Sequence, residues 1–223
     1  MLQVLYLVFD FVIKYPYSMF PFTKCSIPGC EQYSLYNSRT CFCHSDVKDD
    51  CRQAVLDFIL GHDKIYNINC KGLSFDDADF SGKRFYACSF SKTQFFRCNL
   101  DDTAFKLCFF DFSEIVASSF RHTYMISSVA AGSKISDTSF QNSDILHSNF
   151  NGIEGSNLQF DDSDLYFSFF ISSSLRDTTF IDCNLKKCNF TDAELENVNF
   201  TYSNYEEAEF EEMNEVPGEY DIL

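Results

Sequence analysis

Tryptophan is absent from this chain of 223 residues, and lysine and arginine are scarce. Because phenylalanine has 27 copies and tyrosine 12, the aromatic content indicates one repeated structural role and not a mixed core. The formal net charge is −16, whereas nucleic-acid binding requires a basic surface that neutralises phosphates. The composition therefore argues against direct nucleic-acid binding, and the length suits one sizeable domain with small appendages.

The shortage of basic residues is confined to the second part of the chain. Residues 1–134 carry 14 acidic and 14 basic side chains, whereas residues 135–223 carry 19 acidic and 3 basic side chains. The whole net charge therefore lies in the second part. An acidic surface of this kind favours a protein partner whose own surface is basic.

Motifs of common enzymes are also missing. The sequence has no phosphate-binding loop, dinucleotide fingerprint or metal-hydrolase motif. His122 and His147 have no serine or cysteine at a spacing typical of a nucleophile pair. The cluster Asp161, Asp162 and Asp164 is typical of a solvated surface. We therefore predict that the protein is not an enzyme.

The apolar segment 1–24 lacks the features of a secretory signal, which are a basic start, an uninterrupted apolar run and a small-residue cleavage site. Asp10 and Lys14 interrupt it well short of a membrane span. One interpretation is an extra strand or packing arm. The other, which we favour, is a start codon assigned too early, with Met19 opening the product. We expect a cytoplasmic protein without a membrane segment.

Segment 25–45 is predicted to bind zinc. It carries two close pairs of zinc-ligand residues, Cys25 with Cys30 and Cys41 with His44. An Ile-Pro-Gly turn folds the first pair together, and Cys₃His is a common tetrahedral set for structural Zn²⁺. Such a closed set leaves no position for substrate. Two alternatives stay open: Cys43 replaces Cys41, or the cysteines of this loop are reduced and carry no metal.

Residues 46–61 are predicted to form a helix that caps the structure beginning near residue 64. Asp46 is the predicted N-cap, and Gly61 stands at the predicted stop. The apolar residues fall on one stripe at helical spacing, namely Cys51, Val55, Phe58 and Ile59. A stripe of this kind suits docking on the open end of a repeat stack, whose first coil needs a cap.

A large apolar residue returns at every fifth position between Phe75 and Phe210. Of the 28 positions in this register, 26 are large and apolar or aromatic; the exceptions are Ala130 and Gly155. The position two residues earlier is Ser, Thr, Cys or Ala in 23 of the 28 repeats. Five cysteines occupy this small position and are predicted to be structural, namely Cys88, Cys98, Cys108, Cys183 and Cys188. A period of five matches neither a helix nor a strand, so the chain must turn once per repeat.

Stretches such as SNLQFDDSDLYF at 156–167 and CNLKKCNFTDAELENVNF at 183–200 resemble the A(D/N)LXX pattern of the pentapeptide-repeat family. The resemblance implies an all-β solenoid: a right-handed quadrilateral β-helix of about seven coils over residues 64–212, with both the large and the small residue pointing inward. Seven coils at about 4.8 Å spacing give a rod about 34 Å long. The acidic tail, residues 213–223, is expected to be disordered or frayed.

The two exceptions to the register, Ala130 and Gly155, predict local irregularities in the coil. Residues 129–133, around Ala130, are expected to form a bulge, a cavity or a bent coil. At Gly155 we expect the oversized Ile153 in the small position to exchange volume with the missing side chain.

Three functions remain open. The first is a scaffold that binds a protein partner through its outward faces, as is general for repeat solenoids. The second is implied by the resemblance, since some family members bind DNA gyrase and confer quinolone resistance: an acidic rod that imitates duplex DNA and binds a type II topoisomerase. The third is a regulatory adaptor in which the zinc-binding segment contacts the partner.

Overall fold

The structure is a computed structural model that describes residues 22–210. A short 3₁₀ turn at Phe42–His44 precedes helix α1, Lys48–Leu60. The predicted N-cap at Asp46 is wrong, because Val47 occupies the cap position and no side chain caps the helix. The Val47 N–H instead donates to Ser45 Oγ at 3.3 Å, and this local turn delays the first helical residue.

The stripe predicted on α1 is buried. Cys51, Val55 and Ile59 are at most 4% exposed, and the Phe58 ring lies 4.9 Å from the ring of Tyr36. The helix ends at Gly61, whose N–H donates to the Asp57 and Ile59 carbonyls.

Within the described residues, short strands follow α1 at regular spacing. Their bounds are β1 Lys64–Tyr66, β2 Ser74–Asp76, β3 Arg84–Tyr86, β4 Gln94–Phe96, β5 Ala104–Lys106, β6 Glu114–Val116, β7 Tyr124–Ile126, β8 Lys134–Ser139, β9 Asp144–Leu146, β10 Glu154–Gln159, β11 Ser174–Thr179 and β12 Glu194–Asn199. A second 3₁₀ turn, Tyr205–Glu207, lies in the last coil.

All strand pairs are parallel, and each residue pairs with the residue one full coil further along. Ile65 pairs with Phe85 in a five-stranded sheet of order β1-β3-β5-β7-β9. Phe95 pairs with Ile115 in a seven-stranded sheet of order β12-β11-β10-β8-β6-β4-β2. Isolated bridges such as Asn69 with Ser89 connect the coils on the remaining sides. Four pentapeptides therefore make one coil, and the fold is the predicted parallel β-solenoid of about seven turns.

The large residues of the register stack inside the coils. The Phe160 ring lies parallel to the rings of Phe140 and Phe180, with centroid distances of 4.9 and 4.8 Å. It meets Phe150 and Phe170 edge-on, at 6.2 and 5.8 Å. The ring quadrupole favours both geometries. Because each of these rings is at most 1% exposed, they belong to one continuous hydrophobic core together with the other large residues of the register.

The small residues also point inward, as predicted, and link successive coils. Ser143 Oγ donates to the Phe120 carbonyl and Ser163 Oγ to the Phe140 carbonyl, both at 3.0 Å. Cys183 Sγ takes the same place 3.1 Å from the Phe160 carbonyl. The five cysteines of this position are all buried and free. They fill space and need no redox or catalytic role.

Each side of the coil ends at a residue in the left-handed region, two places after the large residue. Asp102 and Asn142 both have φ +57°, a conformation that Asn, Asp and Gly adopt readily. Phe112 and Phe167 have φ +55° and +59° at the same position. The turn needed every five residues is therefore made by the backbone at this corner.

Of the bulge, cavity or bent coil predicted around Ala130, the bulge and the bent coil are wrong. The Ala130 N–H donates to the Asn149 carbonyl at 2.7 Å, and the Gly132 N–H donates to the Asn151 carbonyl at 2.9 Å. Ala130 is 4% exposed and interrupts the ring stack without disturbing the backbone. The reason is that hydrogen bonds between coils set the backbone path, whatever side chain lies inside.

Gly155 is accommodated differently from the prediction. An added Cβ would lie 2.7 Å from Leu175 Cδ2 and 2.9 Å from Leu158 Cδ1. The side chains of Leu158 and Leu175 are therefore the ones that come nearest to the space left by the missing side chain. Leu158 is itself oversized for the small position, so it supplies part of the missing volume.

Candidate metal centre

The predicted ligands Cys25, Cys30, Cys41 and His44 lie together, with all ligand atoms within 4.8 Å of one another. Cys25 Sγ and Cys41 Sγ are each 3.5 Å from His44 Nδ1, and Cys30 Sγ is 3.8 Å from Cys41 Sγ. Tetrahedral Zn²⁺, with Zn–S near 2.3 Å and Zn–N near 2.05 Å, separates two sulphurs by about 3.8 Å and sulphur from nitrogen by about 3.6 Å. The donor set and these three distances fit Zn²⁺.

The first ligand pair is positioned by a tight antiparallel turn. Lys24 pairs with Tyr33, and the Cys25 N–H donates to the Gln32 carbonyl at 2.8 Å. The Cys30 N–H closes the turn on the Ile27 carbonyl at 3.1 Å. Gly29 has φ +78°, a conformation that permits this turn only at low cost for glycine.

The second pair is positioned by the 3₁₀ turn, in which the His44 N–H donates to the Cys41 carbonyl at 3.0 Å. This bond folds the imidazole back over the cysteine. Cys41 is 3% exposed, whereas Cys43 is exposed and outside the cluster. The geometry therefore selects Cys41 over Cys43 as the fourth member of the cluster.

The electrostatics of the cluster favour a thiolate. Burial of Cys25 acts to raise its pKa, but hydrogen bonds from the backbone at Ile27 and Cys41 and from the His44 and Cys30 side chains lower that pKa to about 6. The pKa of Cys30 is raised: the backbone N–H of Gln32 acts to lower it, but burial and the neighbouring thiols outweigh this. A set with one thiolate and further thiols that lose protons on binding is the usual state of a zinc site before loading.

The remaining polar residues singled out in the sequence have other surroundings. Asp161 accepts the Ile181 N–H at 3.0 Å and so links two coils. His122 is exposed at a corner. His147 lies 5.2 Å from the Phe167 ring and 5.6 Å from that of Tyr166, and burial there lowers its pKa. None of these three residues forms a metal cluster with other described residues.

None of the helices among residues 22–210 has the length and apolar character needed to cross a membrane. The fold and the cluster together define a four-sided repeat solenoid with a candidate zinc-binding segment beside its first coil.

The repeats match a known family over part of the chain. Eight copies of the family described as Pentapeptide repeats match residues 173–210. The same register, with the same inward and corner positions, extends through the earlier coils described above. The repeats of residues 173–210 are therefore those of the pentapeptide-repeat family, and the earlier coils share their pattern.

One solved structure supports the same fold, and a second is similar over most of its own length. A trypsin-treated variant of QnrB1, a plasmid-mediated fluoroquinolone resistance protein, is 21% identical with a TM-score of 0.55, covering 67% of this chain and 83% of that chain. HetL, a pentapeptide-repeat protein involved in heterocyst differentiation regulation from the cyanobacterium Nostoc sp. strain PCC 7120, is 10% identical with a TM-score of 0.32, covering 70% of this chain and 95% of that chain. No curated protein matches the sequence.

Proposed function

We propose that the protein is a non-enzymatic scaffold that binds a protein partner through one corner of the solenoid. This aromatic corner consists of Leu146, His147, Tyr166, Phe167 and Phe169 on two adjoining sides. Phe167 contacts the rings of Tyr166 and Phe169, with centroids 6.2 and 5.5 Å apart, and the His147 ring lies 5.2 Å from it.

The observation that carries the proposal is Phe167. Its side chain is 38% exposed although it is aromatic, and its backbone has φ +59°, where a bulky residue is strained. Phe112 has the same backbone conformation and is more exposed, so exposure and strain alone do not distinguish Phe167. Phe167 stands out because it packs with other rings, those of His147, Tyr166 and Phe169. Clustered, exposed aromatic side chains are typical of binding surfaces, where they supply much of the affinity.

The charges beside the corner indicate the chemistry of the partner. Asp144 and Asp164 face each other between neighbouring coils next to Tyr166. The nearby Lys187 Nζ lies over the Tyr166 and Phe167 rings, at 5.7 and 5.9 Å from their centroids. The rings thus accept a cation in a region where acidic side chains predominate. We expect a partner surface with apolar residues surrounded by lysine or arginine.

The test compares two substitutions at left-handed corners. Phe167→Asn removes the ring from the aromatic corner, while Phe112→Asn makes the same change at a different corner, where Phe112 is 63% exposed and lies over Gly132. A protein captured from the native host is purified and its affinity measured by calorimetry. We expect Phe167→Asn to weaken binding by roughly 30-fold, as for an aromatic hot spot, and Phe112→Asn to leave it unchanged. Equal affinities for all three proteins would reject the aromatic corner as the binding site.

Because the solenoid is acidic, DNA mimicry is a second candidate function. Carboxylates are spread over the sides of the coils: Glu154 lies in the seven-stranded sheet and Asp164 beside the five-stranded one. Glu154 is moreover paired with Lys134 at 2.9 Å. This distribution favours the scaffold over a continuous phosphate-like stripe. A gyrase supercoiling assay without inhibition at micromolar protein removes this candidate.

For the metal cluster, we infer that the three cysteines and His44 hold one structural Zn²⁺. The distances and the closed donor set support this assignment. If the zinc-binding segment were itself the contact with the partner, as in an adaptor, chelation would abolish the binding that Phe167→Asn weakens.

A further inference from the structure

The loop between the two ligand pairs, residues 31–40, lies against the first coil. The Tyr36 N–H donates to the Asn69 carbonyl at 2.9 Å, and Asn69 Nδ2 donates to the Ser34 carbonyl at 2.7 Å. Leu35, between them, is 2% exposed and belongs to the hydrophobic core. At the start of the loop, Lys71 Nζ donates to Gln32 Oε1 at 2.6 Å. The loop is thus bonded to one side of the first coil.

These bonds occupy the place of a preceding coil. Within the stack, a carbonyl such as that of Ser89 accepts the N–H of Cys70 in the coil before it, at 2.8 Å. Asn69 is the equivalent residue in the first coil, and Tyr36 supplies the missing N–H. Because an uncovered edge exposes unpaired backbone groups, this contact closes the solenoid on this side.

The turn that carries the second ligand pair makes another contact with the same coil. Phe42, between Cys41 and His44, lies on Gly72, where an added Cβ would stand 2.8 Å from Phe42 Cγ. Gly72 has φ +79°, so the position requires glycine both for its backbone and for the ring. The metal ligands are therefore adjacent to contacts with the coil at both ends of the loop.

We propose that zinc binding holds this loop on the first coil. Metal binding and the ordering of the solenoid's first edge are then coupled. The ligands Cys30 and Cys41 bracket residues 31–40, and joining them through one ion fixes the two ends of the loop together. When the two ends are held together, the free loop has fewer conformations, so less conformational entropy is lost when the loop docks on the coil. The proposal rests on the zinc assignment above and is independent of the partner.

The experiment uses the full chain and hydrogen–deuterium exchange. Zinc content is measured first, and exchange is then recorded before and after removal of zinc by a chelator. We expect peptides covering residues 31–42 and 65–73 to exchange at least about 10-fold faster without zinc, since their hydrogen bonds open locally. Peptides covering 160–190 are expected to keep their protection, and zinc added back restores the first two regions.

Two variants distinguish the loss of zinc from the loss of the contact between the loop and the first coil. Cys30→Ser is expected to give the exchange pattern of the chelated protein, with Cys43→Ser, an exposed cysteine outside the cluster, as its control. Phe42→Ala keeps all four ligands and is expected to retain zinc while residues 65–73 lose protection. If Cys30→Ser does not fold, chelation of the unmodified protein still tests the proposal. Less than half a zinc per chain overturns the proposal, and so does unchanged exchange at 31–42 after zinc removal. Loss of partner binding by Phe167→Asn is unaffected by either result.

Discussion

The two ends of the described solenoid differ in how their inner residues are covered. At the first coil, Ile65 and Phe75 are fully buried, and they share one hydrophobic core with the apolar stripe of α1 and with Leu35 of the loop 31–40. At the last coil, Leu195, Tyr205 and Phe210 are only partly buried. Within residues 22–210 no helix packs on this second end.

The difference shows what a five-residue repeat can and cannot specify. Each repeat supplies one inward ring, one small residue and one corner, which is enough to add a coil to an existing coil. It contains nothing that terminates the stack. The first end is closed by segments with a different sequence pattern, a helix at 3.6 residues per turn and a turn-rich cysteine segment.

The strongest test of the comparison replaces one ring in the middle and one at the partly covered end. Phe160 is fully buried between two parallel rings, so Phe160→Ala should lower the free energy of unfolding by about 3–5 kcal/mol. Phe210 has one parallel neighbour, Phe190, at 5.0 Å, and remains half-buried. Phe210→Ala should therefore cost only about 1–2 kcal/mol.

Both values are obtained from urea unfolding followed by circular dichroism, with the slope of each transition compared to check that unfolding stays cooperative. Equal losses for the two variants would mean that the end coil is as well covered as the middle.

Much of this architecture could be predicted from sequence, because the five-residue register and the small position state which side chains point inward. The corner leaves a weaker signal in the sequence, since Asn, Asp or Gly recurs two places after the large residue, as at Asp102 and Asn142, and no prediction was made from it. The regular backbone path at Ala130 could not be predicted from side-chain size, because the backbone is held by hydrogen bonds with neighbouring coils. The helix start was missed because a turn at Ser45 competes with capping by Asp46.

For the candidate metal cluster, spacing indicated the four residues that the structure brings together, with Cys43 left as an alternative to Cys41. The structure favours Cys41, because the 3₁₀ turn buries Cys41 and exposes Cys43. The docking of loop 31–40 was also beyond the sequence, because Tyr36 bonds to Asn69 through backbone atoms that leave no pattern in side-chain types. The aromatic corner was hidden because its residues come from several coils.

A second test isolates the covering of the first coil. Gly72→Ala and Gly82→Ala both place alanine in the left-handed region, at φ +79° and +69°, which costs about 1–2 kcal/mol at each position. Only at Gly72 does the new Cβ also meet a ring, that of Phe42; at Gly82 nothing lies within 4 Å. We expect Gly72→Ala to be the more destabilising, by about 1 kcal/mol or more.

The difference between the two glycine variants is measured by thermal unfolding, with and without the additional change Phe42→Ala. Removing the ring should make the two variants equal. A difference that persists without Phe42 would show that the contact with the cysteine-rich segment 25–45 is not its cause.

A third substitution is expected to stabilise the partly covered end. Tyr202 is 85% exposed and has φ +65°, so its ring gains little burial while its backbone is strained. Tyr202→Asn should raise the free energy of unfolding by up to about 1 kcal/mol, since asparagine tolerates this conformation. Tyr202→Val, which is β-branched, is the matched control and should destabilise. Lower stability of Tyr202→Asn would mean that the tyrosine makes a contact of its own.

The smallest effect concerns charge near the covered end. Arg97 Nε donates to Asp77 Oδ1 at 2.7 Å, and this hydrogen bond, helped by the Arg97 charge, lowers the pKa of the Asp77 carboxyl. A lowered folded-state pKa stabilises the protein above the unfolded value of about 3.9, and that contribution is lost as pH falls through the folded value.

The pair is exposed, so only a small loss is expected from Asp77→Asn at pH 7. The stability difference from the unmodified protein should stay constant between about pH 7 and 5 and shrink below about pH 4. Asp182→Asn, at another left-handed corner with φ +53°, controls for asparagine at such a position. A difference for Asp77→Asn that does not change with pH would assign its effect to the corner backbone and not to the ion pair.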